Sequence, residues 1–168
     1  RYTQSVMNNI LGGGMSSRLF QTLREELGLA YSVYSFPFNY SDTGLFSLNI
    51  GTGPAKIAKF FAALYTELEK FITDGVTDEE VERTQQLIKS NMYLGLESVM
   101  NRMNRIGKSI LMYGDIIPVE DVINKIYMVD TKKVHNLACT LLEKQEFSLA
   151  AIGSSDILKV VEIILLTS

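Results

Sequence analysis

His135 and Cys139 are this chain's only histidine and only cysteine, and they stand four residues apart. On a helix that spacing puts both on one face, and both are residue types that ligate zinc. Zinc centres take three or four protein ligands, so the pair is at most a fragment of one. His135 borders an apolar stripe and reads as a structural residue. No serine neighbourhood supports it as the base of a Ser-His-Asp arrangement. Gly12, Gly13 and Gly14 precede a helical pattern and could bring helix amides to a phosphate. The dinucleotide fingerprint needs a strand before its first glycine and a glycine at the sixth position. Here the preceding segment reads helical and Ser17 holds that position. Gly107-Lys108-Ser109 resembles the end of a phosphate loop, but Arg102 occupies the place of its first glycine. Two further groups remain: Arg24, a planar fork of donors, and Tyr31, a phenol, on either side of Gly28.

The elements that must position these groups follow from spacing. Val6, Met7, Ile10 and Leu11 recur helically over residues 3–11. A second helix is predicted over 16–27, capped by Ser16 or Ser17, with Leu19, Phe20, Leu23 and Leu27 on one face and Arg18, Arg24 and Glu25 off it. Gly28 suits the left-handed residue that closes it. Two strands are expected next, because Tyr34, Phe36, Phe38 and Tyr40 alternate with polar residues or proline, as do Phe46, Leu48 and Ile50. Each should have one buried and one wet face. The turn residues from Asn39 to Gly44 join them as a hairpin, and Pro37 places its strand at an edge or a bulge.

The rest reads mainly as helices. Ile57, Phe60, Phe61, Leu64, Leu68, Phe71 and Ile72 mark a long amphipathic helix ended by Asp74-Gly75. Thr77 and Glu80 form a capping box. That helix should run to about Leu94 and break at Gly95, followed by helices near Val99–Met112, Glu120–Tyr127 and Thr131–Leu142. The last carries Val134, Leu137, Ala138 and Leu141 on one face. A short strand is expected over Glu146–Ile152, and a final helix capped within Ser154-Ser155-Asp156. Glu67, Glu69, Lys70, Glu79, Glu80, Glu82, Arg83 and Lys89 read as solvated faces. Paired strands with flanking helices predict an α+β fold, an antiparallel sheet under a helical layer, in a single domain over 1–168.

Composition narrows the function. The 168 residues carry 16 basic and 19 acidic side chains, a balance that suits neither a nucleic-acid binder nor a membrane-surface protein. No run is long enough to span a membrane, and Lys159 and Glu162 interrupt the apolar tail. A single cysteine excludes an intrachain disulfide, and with no visible signal peptide the expected compartment is the cytoplasm. The chain starts at Arg1 rather than Met, which reads as an excised or processed segment of a longer protein.

The run Gly12-Gly13-Gly14-Met15-Ser16-Ser17-Arg18-Leu19-Phe20, continuing through Arg24 to Gly28-Leu29-Ala30-Tyr31, resembles the C-terminal-type domain of the M16 (insulinase and processing-peptidase) metallopeptidases. The match is close over 10–36. The resemblance implies a half-domain of that metallohydrolase fold, truncated before Arg1 where further strand sequence would lie. It implies that zinc, its histidines and its glutamate base belong to an N-terminal-type partner domain on the same or a second chain, with no cofactor in this one. It assigns Arg24 and Tyr31 to the bound peptide near the scissile bond, Tyr31 with a catalytic role, and has an extended peptide pair with a sheet edge. The expected function is thus the substrate-clamping, non-metal half of a zinc endopeptidase, inactive by itself. The alternative is a catalytically silent M16-like scaffold or partner subunit.

Overall fold

A computed structural model describes residues 1–40, 42–143 and 147–153. Helix α1 (Tyr2–Leu11) leads through the glycine run to a π-helical segment, Phe20–Glu26, and then to a hairpin of β1 (Ser32–Asn39) and β2 (Gly44–Gly51). A 3-10 turn at Pro54–Lys56 opens α2 (Ile57–Thr73), followed by α3 (Asp78–Glu97), α4 (Val99–Tyr113), α5 (Val119–Tyr127) and α6 (Thr131–Leu142). The fold is α+β, with one antiparallel two-stranded sheet among the described residues.

The core gathers where the helical stripes meet. Val6, Met7 and Leu11 of α1, Phe60 and Phe71 of α2, and Val134 and Ala138 of α6 are fully enclosed. Truncating a buried phenylalanine of this kind costs about 3–5 kcal/mol, because the cavity closes only in part. In α6 the inward residue of the last turn is Leu142, while Leu141 is exposed.

The hairpin shows what alternation leaves open. Its register sets Val33 opposite Ile50, Ser35 opposite Leu48 and Pro37 opposite Phe46. Directly opposed residues share a face, and Phe46, Leu48 and Ile50 pack on the core. The aromatic set of β1 therefore faces outward, with Tyr34 and Phe38 each nearly half exposed. Tyr34, Phe36 and Phe38 stack along that outer face at 5.7 and 5.0 Å between centroids. Ser35 is buried instead, its hydroxyl donating to Asn8 Oδ1 at 2.8 Å. Its amide donates to Gly12 O at 2.9 Å, so this edge of β1 faces the glycine run. Pro37, two residues on, shares that edge and lacks an amide to offer.

The capping box forms: Thr77 Oγ1 accepts from Glu80 N at 3.2 Å and the Glu80 carboxylate accepts from Thr77 N at 2.8 Å. The expected break at Gly95 is displaced. Helix α3 continues to Glu97, and Ser98, in an extended conformation, separates it from α4 and caps α4 by accepting from Asn101 N. A lone glycine weakens a helix by about 1 kcal/mol and need not end it. The strand expected over Glu146–Ile152 lies partly outside the described residues, and residues 147–152 pair with no strand among them. The final helix from Ser154 lies outside them.

Candidate functional site

The glycine run is a junction. Gly12 ends α1, and a Cβ there would fall 2.6 Å from Ser35 Oγ and 2.8 Å from Ser35 N. Glycine is required because β1 crosses at backbone distance. Neither Ser16 nor Ser17 caps the next helix: Ser17 is buried and its hydroxyl donates backward to Gly14 O at 2.5 Å. The loop is thus closed on itself rather than opened toward an anion.

The helix that follows is not a regular α-helix. The amide of Leu27 reaches the carbonyl of Thr22 at 3.0 Å, five residues back, which widens the turn. Leu19 and Leu23 are enclosed, whereas Leu27 is half exposed and Phe20 half-buried, so the apolar stripe is narrower than its spacing suggests. Gly28 takes φ +57° and turns the chain sharply. The carbonyl of Leu23 then accepts from Leu29 N at 2.8 Å and Ala30 N at 3.3 Å. Two side chains staple this reversal to the segment after β2: Lys56 Nζ donates to Gly28 O at 2.7 Å and Thr52 Oγ1 to Leu29 O at 2.6 Å.

This arrangement presents Arg24 and Tyr31. Arg24 lies over the Phe20 ring, 4.7 Å from its centroid, with its side chain 44% exposed. It lines a groove of about 210 Å³ floored by Gly12, Gly13 and Gly14 and walled by Phe20, Val33 and Tyr34. Tyr31 is not part of that lining. It stands 71% exposed on the turn entering β1, anchored through its amide to Gly51 O at 2.9 Å. Among the described residues no hydrogen bond joins Arg24 to Tyr31. The two are set on adjacent segments, each with its polar end available.

Arg18 behaves differently. Its Nε and a terminal nitrogen each meet a Glu80 carboxylate oxygen at 2.7 Å, and the terminal nitrogen also donates to Gly75 O at 2.8 Å. Burial pushes the Glu80 carboxyl up, but hydrogen bonds from Arg18 and Thr77 together with the Arg18 charge outweigh it and hold the group below the usual carboxylate range. Glu80 is therefore a fastening between the second helix and α3 rather than part of a solvated face. The capping box pointed to Glu80; nothing in the sequence pointed to Arg18, 62 residues away.

His135 and Cys139 do share a helix face, Sγ and Nε2 lying 3.7 Å apart. His135 Nδ1 is buried without a partner, close to Gly75. No three His, Cys, Asp or Glu side chains converge among the described residues. Two donors fall short of a zinc centre, which takes three or four protein ligands. A larger hollow of about 490 Å³ lies between the end of α3, α4 and the 116–119 turn, where Arg105 is engaged with Ile117 O at 2.7 Å. No helix among the described residues is long and apolar enough to cross a membrane.

The sequence reading missed Phe20, Tyr34 and Gly51. The i, i+4 spacing of Phe20 and Arg24 was a usable signal for the first. The outward phase of β1 and the fit of Tyr31 over Gly51 depend on strand pairing.

Residues 1–88 match the family model described as the peptidase M16 inactive domain. The chain is 38% identical over 154 residues to YmxG of Bacillus subtilis, described as an uncharacterized zinc protease, covering 92% of this chain and 37% of that protein. It is 40% identical over 153 residues to SCO5738 of Streptomyces coelicolor, similarly described, covering 91% and 33%. The chain thus spans about a third of these relatives. Among solved structures it resembles a protease from Helicobacter pylori, with TM-score 0.72 and 18% identity over 83% of this chain and 34% of that one. It also resembles a conserved protein from Enterococcus faecalis, with TM-score 0.69 and 24% identity over 82% and 32%. These two likenesses concern the fold. The family model and the relatives establish that this chain belongs to the M16 peptidase family, as a domain of its C-terminal, inactive type.

Proposed function

We propose that this chain is the substrate-clamping, non-metal half of an M16-type zinc endopeptidase, completing an active site whose metal lies in an N-terminal-type partner domain. The observation that carries the reading is the paired presentation of Arg24 and Tyr31 on a helix end and strand start stapled by Thr52, Lys56 and Gly51. Arg24 offers in-plane donors to peptide carbonyls. The Tyr31 hydroxyl donates to the oxygen that gains charge at the scissile carbonyl. When bound in the partner half, zinc supplies the activated water.

An extended peptide needs a sheet edge with free amides. On β1 the edge away from β2 is engaged at Ser35 and lacks an amide at Pro37, so the outer edge of β2 is the better equipped of the two. A lone cysteine suits a reducing, cytoplasmic setting.

Complementation tests the reading. The isolated chain should leave a peptide substrate intact, and adding a zinc-bearing M16 half should produce cleavage that neither part shows alone. Cleavage by the isolated, metal-depleted chain would overturn it.

A further inference from the structure

Two arginines of one helix have opposite surroundings. Arg18 commits its donors to Glu80 and Gly75. Arg24, six residues on, has no hydrogen bond among the described residues, only a long 3.7 Å approach to the exposed carboxylate of Glu25. What locates it is the Phe20 ring 4.7 Å beneath its guanidinium carbon.

Phe20 sits where a core phenylalanine would not. Its neighbours Leu19 and Leu23 are fully buried, while Phe20 stays half-buried on the wall of the groove. An aromatic face attracts a guanidinium through its quadrupole. The contact occupies the planar face of the group and leaves the in-plane N–H donors unspent. A long, exposed arginine otherwise loses rotamer freedom when it meets a ligand, and a fixed platform removes part of that cost beforehand.

We propose that Phe20 is a positioning residue for Arg24: its ring holds the guanidinium over the groove with its edge turned to the substrate backbone. The inference rests on the reading of Arg24 as a peptide contact. It assigns Phe20 an effect on substrate binding and none on the chemical step.

The test uses the enzyme reconstituted from this chain and a zinc-bearing M16 half, with an internally quenched peptide. Phe20→Leu should raise KM about two- to fivefold, the size of an exposed cation–π contact expressed as a binding ratio, with kcat unchanged. Phe20→Tyr should restore KM, and Phe20→Leu should add nothing in an Arg24→Ala background. In NMR spectra the Arg24 Nε proton should be shifted upfield by the ring and should lose that shift in Phe20→Leu. If Arg24→Ala raises KM and Phe20→Leu does not, the positioning role is overturned and the Arg24 contact stands. If Arg24→Ala leaves KM unchanged, the Arg24 contact itself fails, and the role of Phe20 falls with it.

Discussion

The Tyr31 ring lies directly across Gly51, so close that a Cβ at position 51 would overlap the ring carbons and the Ser32 hydroxyl. The backbone beneath is fastened at the same point, Tyr31 N donating to Gly51 O at 2.9 Å. The last residue of β2 therefore sets both the height and the direction of the phenol.

Gly51→Ala is the direct probe of that fit. Relieving the overlap requires the Tyr31 ring and the Ser32 hydroxyl to swing away, and because the ring is exposed this moves the phenol at little cost in stability. In the reconstituted enzyme kcat should fall while KM changes little, because Arg24 is held independently by its own helix. Steady-state kinetics beside a thermal melt separates the two effects. An unchanged kcat would mean that the position of Tyr31 does not matter.

The Arg18–Glu80 pair makes stability depend on pH. The folded Glu80 carboxyl titrates below its ordinary value. Its contribution is therefore complete above the unfolded carboxyl range, and is lost as pH falls through the lower folded value. Glu80→Gln should destabilise the chain at neutral pH by about 1.5–3 kcal/mol, the range for hydrogen bonds to a charged group. The gap between variant and parent should close as the pH drops below the folded value. Urea unfolding at a series of pH values reads this, and a gap that persists in acid would contradict it.

The glycine run gives a matched pair of substitutions. A Cβ at Gly12 meets the backbone and hydroxyl of Ser35, whereas one at Gly14 meets nothing within 4 Å. Gly12→Ala should cost about 1–3 kcal/mol, since the contact is partly backbone and cannot rotate away. Gly14→Ala should be neutral, or stabilising by up to about 1 kcal/mol through the unfolded chain. Denaturation midpoints of the two variants check the contrast.

Much of this fold is legible along the chain. Helix α2 declares itself through Phe60, Leu64, Leu68 and Phe71, and the Thr77–Glu80 box marks the start of α3. What escapes is whatever depends on a distant partner. Alternation in β1 gives a period without a phase, and the phase comes from the pairing of Ser35 with Leu48. The π-helical turn depends on where Leu27 N finds a carbonyl, and the role of Arg18 on a glutamate brought up by folding. At the candidate site, Arg24 and Tyr31 emerge from a family resemblance, whereas their supports, Phe20 and Gly51, are visible only in three dimensions.

The central claim is that Tyr31 and Arg24 act on a peptide cut by a partner's zinc. The most direct test is steady-state kinetics of Tyr31→Phe and Arg24→Ala in the reconstituted enzyme. Removing the Tyr31 hydroxyl, which leaves the ring on Gly51, should lower kcat on the order of 100-fold, as loss of one donor to a developing oxyanion does. Arg24→Ala should act mainly on KM. Full kcat/KM in Tyr31→Phe would contradict the account.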